Sequence, residues 1–149
     1  MSWTDVDLTG VSTDMELIPE GTYEFALLPG AKYGQWNPAK IELGAKIVSG
    51  EYAGRVQYFS YGDPEKVPSM LVAFKRLEEA LAKNTGVSIT EGEDPVTYLN
   101  NPDVVGGKFI APIRHRTYEK KGEVDAQGNP VLESKSDVSV YRVKAVPVA

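Results

Sequence analysis

Residues 40–61 read KIELGAKIVSGEYAGRVQYFSY, and this stretch decides the fold. Apolar side chains in 40–48 alternate with polar or small ones, which predicts a β-strand with one buried face. Residues 49–54 contain two glycines and predict a turn. Residues 55–61 are rich in β-forming side chains and predict the next strand.

The same reasoning extends outward along the chain. Alternation or β-forming composition predicts further strands at residues 22–28, 108–118 and 137–146. Between the third and fourth strands the period changes, because Met70, Phe74, Leu77 and Leu81 fall on one helical stripe. They predict a helix over 69–83, a short second helix is predicted from Pro95 to Asn100, and the polar stretch 119–136 is predicted to be a connection.

The predicted order is therefore β-β-β-α-β-β. We expect a mainly β fold, a five-stranded OB-fold-like barrel with one α-helix between strands 3 and 4. A different small barrel or a two-sheet sandwich stays open. Residues 1–20 carry five acids and no base, so they predict an acidic N-terminal arm before a domain at 21–149.

Charge is distributed unevenly. The formal net charge is −5, which by itself argues against a nucleic-acid binder. Residues 1–20 and 84–107 together hold nine acids and no Lys or Arg, so the remainder has a net charge of +4. Charges separated by more than about 8–10 Å are largely screened in physiological salt, so the basic strands can act separately from the acidic segments.

The sequence contains no pattern typical of catalysis. It has no phosphate-binding loop, no nucleophile elbow and no His-Glu-x-x-His motif. It has no cysteine and a single histidine, His115, which excludes disulfides and thiolate or His-rich metal sites. We therefore expect a protein that is not an enzyme and uses no cofactor or metal. A metal-dependent nuclease with dispersed acids is the remaining enzymatic alternative.

Basic and aromatic residues are predicted to meet on one surface. An OB-fold binds along strands 2 and 3, between the loop that joins strands 1 and 2 and the loop that joins strands 4 and 5. Aromatic rings there can stack on unpaired bases while Lys and Arg follow the phosphates. The predicted contacts are Lys32, Tyr33, Trp36, Lys40, Lys46, Arg55, Tyr58, Tyr61, Arg114, Arg116, Tyr118, Lys120 and Lys121.

Three segments carry a resemblance to a known family: EGTYEF at 20–25, GEYAGR at 50–55 and GKFIAPI at 107–113. Over roughly residues 17–146 the chain resembles a family of small bacteriophage proteins similar to OB-type single-stranded-DNA-binding proteins. The resemblance implies a role in phage DNA replication or recombination. Many single-strand binders end in an acidic tail that recruits enzymes, whereas Lys144–Ala149 contains no acid, so recruitment through such a tail is not expected.

These observations lead to one expectation and one principal alternative. We expect a single-stranded-DNA-binding protein in the cytoplasm, the host cytoplasm if phage-encoded, with replication or recombination enzymes as further partners and no membrane contact. Exposed edge strands leave a homodimer open. The alternative is a phage structural or protein-interaction module that does not bind nucleic acid.

Overall fold

The computed structural model describes Thr4 and residues 17–147, apart from the side chain of Lys121. The predicted arm therefore lies almost entirely outside the described residues. The elements in chain order are β1 (Gly21–Leu27), β2 (Lys32–Tyr33), β3 (Ile41–Ile47), β4 (Val56–Tyr61), α1 (Ser69–Thr85), α2 (Pro95–Leu99), β5 (Lys108–Val124) and β6 (Pro130–Val138). The fold is mainly β, as predicted.

The described strands form one antiparallel sheet. Its order is β4-β3-β1-β5-β6, and the short β2 pairs with β3 beside β1. Thus β5 returns past both helices to pair with β1, and the order β5-β1-β3-β4 is that of a Greek key. In the register of β1, Phe25 lies opposite Ile47 of β3 and Phe109 of β5.

The predicted five-stranded barrel needs correction, because the sheet has six described strands and is open. No backbone ladder joins β4 to β6 among the described residues. The two edges approach through side chains, since Gln57 Nε2 donates a hydrogen bond of 2.8 Å to Ser136 Oγ.

The prediction for the last strand was wrong. The paired strand is β6, which lies largely within the predicted polar connection, and it forms a long hairpin with β5. Beyond Ile113 most side chains of this hairpin are exposed on both faces, so no apolar alternation marks it. After β6 the chain turns at Val140–Arg142, and among the residues described up to 147 one β-bridge returns it to the sheet, between Lys144 and Ile110.

The helix predictions are confirmed with one change. Helix α1 ends at Gly86, which has a φ of 81° and donates its backbone N–H to Ala82. This left-handed conformation favours glycine at the end of a helix. Ser69 is the N-cap expected from the sequence, because Ser is favoured there, but the position is occupied by Pro68 and the Ser69 hydroxyl lies 3.0 Å from that of Tyr141.

Aromatic rings fill the inner face of the sheet. Phe109 stacks on Phe25 with 5.5 Å between ring centroids, and its edge contact with Phe59 of β4 spans 6.3 Å. Tyr61 of β4 meets Phe74 of α1 at 5.4 Å, which places the helix over the same core. Ile18, just before β1, is also fully buried.

The segment just before β1 is held against the sheet by His115 of β5. His115 Nε2 lies 2.7 Å from the carbonyl of Ile18, and the His115 N–H donates to Glu20. These contacts and the burial of Ile18 attach residues 17–20 to the sheet.

Among the described residues, no helix is both long enough and apolar enough to cross a membrane.

Tyr61 provides a test of the core. Its hydroxyl is the one buried side-chain polar atom among the described residues that lacks a hydrogen-bond partner. A buried unpaired polar group costs about 1–3 kcal/mol. We therefore expect Tyr61→Phe to raise the free energy of unfolding by about 1 kcal/mol in urea denaturation.

The matched control is Tyr98→Phe. Tyr98 is equally buried, but its hydroxyl donates a 2.8 Å hydrogen bond to the carbonyl of Val87. Loss of this hydrogen bond in Tyr98→Phe should lower the free energy of unfolding by about 1 kcal/mol. A loss of stability in Tyr61→Phe as large as that in Tyr98→Phe would contradict the assignment.

Candidate nucleic-acid interface

The strongest candidate site is a groove on the outer face of β2, β3 and β4, which we call the first groove. Its volume is about 630 Å³. Its lining includes the side chains of Lys32, Lys40, Glu42, Tyr58 and Ser60 and the backbone of Gly44. The outward positions of β3 and β4 alternate with the core positions, so the strand geometry presents these groups on one face.

Tyr58 lies flat against Gly44, the residue directly opposite it on β3. A Cβ atom added at Gly44 would lie 2.9 Å from both Cδ1 and Cε1 of the Tyr58 ring. The glycine therefore lets the ring approach the backbone, while the ring remains 78% exposed. The result is an aromatic ring that lies against the strand and faces solvent.

Trp36 lies at the tip of the β2–β3 loop and is 93% exposed. The loop is closed by a hydrogen bond from Gly34 N to the Lys40 carbonyl, and Lys40 N donates back to Asn37. Lys32 and Lys40, on either side of this loop, both line the first groove. Trp36 itself does not line the first groove, but the loop that carries it begins and ends beside two lysines that do.

Helix α2 holds the wall of the first groove in place. Asn100, directly after α2, accepts hydrogen bonds from the N–H groups of Gly30 and Ala31 and donates one to the Ala31 carbonyl. Asp94, the N-cap of α2, accepts the Tyr33 hydroxyl at 2.9 Å. Both ends of the short helix therefore fix the segment that leads into β2.

The first groove is lined by two cations, Lys32 and Lys40, and one anion, Glu42, which partly neutralises Lys40. Lys40 Nζ lies 3.9 Å from a carboxylate oxygen of Glu42, and both side chains are partly exposed. Exposed pairs of this kind contribute roughly 0–1 kcal/mol, so Lys40 can exchange its partner for a phosphate at little cost. Lys32 has no ion-pair partner among the described residues.

The other predicted contacts lie elsewhere. Lys46 is exposed on the outer face farther along β3, and Arg55 is half-buried just before β4. Tyr33 faces Asp94 of α2 instead of Tyr58. Tyr61 was a wrong choice, because it points to the core face and is 2% exposed, so its ring cannot stack on a base.

The β5–β6 hairpin carries a separate group of predicted contacts on its outward face. Arg116 is paired with Asp137 at 2.9 Å, and Lys135 lies 5.7 Å above the Tyr118 ring. A side-chain hydrogen bond with Glu133 raises the pKa of Tyr118. Lys120 pairs with Glu123 at 3.4 Å, Arg114 lines a different groove, and the side chain of Lys121 lies outside the described part.

Sequence reasoning therefore selected Lys32, Lys40 and Tyr58 of the first groove but missed Gly44 and Asn100. Gly44 interrupts an otherwise regular strand, and an isolated strand glycine marks a close approach by another group. That signal was available in the sequence. Asn100 had no local signal, because its partners are about 70 positions away in the chain.

Comparisons with known proteins add no assignment. No protein-family model matches this chain, and no curated protein sequence matches it. The resemblance to the phage family therefore stays a prediction.

Among the described residues, no group of three or more His, Asp or Glu side chains is arranged to hold a metal ion.

The contact between Tyr33 and Asp94 has a testable pH dependence. The hydrogen bond from Tyr33, followed by those from Val96 and Thr97, lowers the pKa of Asp94 below its usual 3.8. A lowered folded-state pKa means that the contact is intact above that value and is lost as the carboxylate takes up a proton below it. We expect Tyr33→Phe to move the Asp94 midpoint upward in an NMR carboxyl titration.

Tyr141→Phe is the matched control, because its hydroxyl contacts Ser69 and not Asp94. It should leave the Asp94 midpoint unchanged. An Asp94 midpoint that is identical in Tyr33→Phe and the wild type would show that the hydrogen bond does not form in solution.

Proposed function

We propose that this protein binds single-stranded DNA through the first groove and acts in phage-type DNA replication or recombination. The observation that carries the proposal is the exposed Tyr58 ring against Gly44, in a groove with Lys32 and Lys40. The exposed Trp36 lies on the loop between these two lysines. Stacking of a base on an aromatic ring contributes about 1–3 kcal/mol and does not depend on base identity. The lysines supply the contacts to phosphate.

The strand order supports the finer fold proposal, an OB-like domain with one open seam. Without the short β2, the five long strands follow the order β4-β3-β1-β5-β6, and α1 lies between the third and fourth of them. An OB-fold is a partly open Greek-key barrel that binds on the face of its second and third strands. These correspond to β3 and β4, which form the floor of the first groove.

The wall of the first groove is preorganised, which favours binding. Asn100 fixes the loop at Gly30 and Ala31, so that loop does not have to be ordered when a ligand arrives. Ordering a mobile segment on binding reduces affinity, because its conformational entropy is lost. Trp36, at the tip of the β2–β3 loop, is almost fully exposed, so its side chain is free to reorient toward a bound DNA strand.

The primary experiment is a polarisation titration with labelled oligothymidine and with duplex DNA over a salt series. We expect preference for the single strand and an affinity that falls as salt rises, because bound lysines release counterions. Equal affinity for duplex and single strand, or no binding at low salt, would contradict the proposal. A stable complex with a protein partner in the absence of DNA binding would select the interaction-module alternative.

Substitution of the two exposed rings tests the stacking. Trp36→Ala and Tyr58→Ala should each weaken binding by about 5- to 150-fold, which corresponds to about 1–3 kcal/mol per lost stack. Both rings are exposed, so neither change should lower the melting temperature by more than a few degrees. In a Trp3→Phe background, the fluorescence of Trp36 should be quenched on binding.

Leu71→Ala is the control for the ring substitutions, because Leu71 is an exposed apolar residue of α1 outside the first groove. It should bind as the wild type does. Unchanged affinity in both Trp36→Ala and Tyr58→Ala would remove the first groove as the binding site.

Gly44→Ala tests the geometry without removing any binding group. The new methyl group would overlap the Tyr58 ring, so the ring must turn away from the strand. We expect affinity for oligothymidine to fall several-fold while the protein stays folded. Combination with Tyr58→Ala should restore the space, so the double variant should bind no worse than Tyr58→Ala alone. An additive loss in the double variant would show that Gly44 acts independently of Tyr58.

A further inference from the structure

A second groove of about 550 Å³ lies where α1, β5 and the segment after β6 meet. Four cations from these three parts of the chain line it: Arg76, Arg114, Arg142 and Lys144. Among the described residues, no carboxylate lines this second groove. None of the four cations is in an ion pair with a described carboxylate.

The fold holds these cations close to one another. The Arg76 guanidinium donates a hydrogen bond to the carbonyl of Tyr141, which fixes it beside the 140–142 turn. Lys144 exchanges two backbone hydrogen bonds of 2.8 Å with Ile110. Like charges in one groove repel each other, and a bound anion relieves that repulsion. In a chain with a net charge of −5, such a cluster is not explained by overall composition.

The register links the two grooves across the outer face of the sheet. Lys46 of β3 and Lys108 of β5 both lie opposite Ala26 of β1, and both lysines are exposed. On β3, the outward residue two positions before Lys46 is Gly44, which lines the first groove. On β5, the outward residue two positions after Lys108 is Ile110, which lines the second groove. Two lysines therefore lie on a diagonal between the grooves, on either side of Ala26, and Glu24 of β1 lies opposite Ile110 where the diagonal meets the second groove.

We infer that the second groove binds the phosphodiester backbone of the same single strand that occupies the first groove. This inference rests on the proposed function and extends it to a second, non-stacking contact. The groove is larger than a single phosphate needs, and its apolar floor at Ile110 and Pro112 suits the sugar between phosphates. Contacts of this kind add affinity and salt dependence but no sequence preference.

The test compares a short and a long oligothymidine, of two and about 30 nucleotides, because Gly44 and Ile110 are two strand spacings and about four residues apart in the sheet, roughly 16 Å, a gap too wide for a dinucleotide. The short strand should occupy the first groove alone. Arg142→Gln and Lys144→Gln should each weaken binding of the long strand several-fold at low salt. Each should also reduce the slope of log affinity against log salt concentration by about 0.7, the value for one lost phosphate contact on a single strand.

Lys66→Gln is the matched control, because Lys66 is an exposed lysine that lines neither groove. It should leave both slopes unchanged, and all variants should melt within a few degrees of the wild type. Normal binding of the long strand by Arg142→Gln and Lys144→Gln would overturn the second groove and leave the proposed function intact. An equal loss of affinity for the short and the long oligothymidine in these variants would also overturn the second groove and leave the proposed function intact. Failure of the wild type to bind either strand would overturn the proposed function itself.

Discussion

The contact of Phe109 with rings on two sides is the constraint on which the rest of the structure depends. Phe25 is on the neighbouring strand, but Phe59 is on β4, three positions away in the sheet. Three strand spacings in a flat sheet span about 14 Å, whereas the two ring centroids are 6.3 Å apart. The sheet must therefore curl around the aromatic core, and the same curl brings Gln57 of β4 to Ser136 of β6.

This curl determines where function can be located. The inner face is filled by aromatic and aliphatic side chains, so the outward positions are the ones left for a ligand. Alternation along β4 sends Tyr58 outward and Tyr61 inward, and the two tyrosines therefore differ completely in exposure. Gly44 then decides how Tyr58 lies, because only a residue without a side chain allows the ring to rest on the strand.

The sequence predicted the parts of the fold that bury apolar surface. Strands β1 and β3 and helix α1 were found because their apolar residues follow a clear period, and β4 was found from its β-forming composition. The short helix α2 was found from Pro95, a residue favoured at the first position of a helix. The β5–β6 hairpin was only half predicted, since residues beyond Ile113 are exposed on both faces and leave no period to detect. Tyr61 was assigned to the site together with Tyr58, although two residues three positions apart in a strand lie on opposite faces, so the strand period could have excluded one of them. The roles of Asn100 and of the cations around Arg142 depend on contacts between distant segments, which no local pattern encodes.

The net charge of the chain is a poor guide to its surface because many of its acids have structural partners. Asp94 accepts backbone N–H groups at the start of α2, Asp125 does so in the β5–β6 turn, and Glu78 accepts Ile89 N. These carboxylates lie at helix and turn positions and line neither groove. Lys32, Lys46 and Lys108, by contrast, lie on exposed positions of the strands, where Glu42 is the one carboxylate among the residues that line the first groove. Because screening limits each charge to about 8–10 Å, a polyanion on these strands interacts mainly with the cations beneath it.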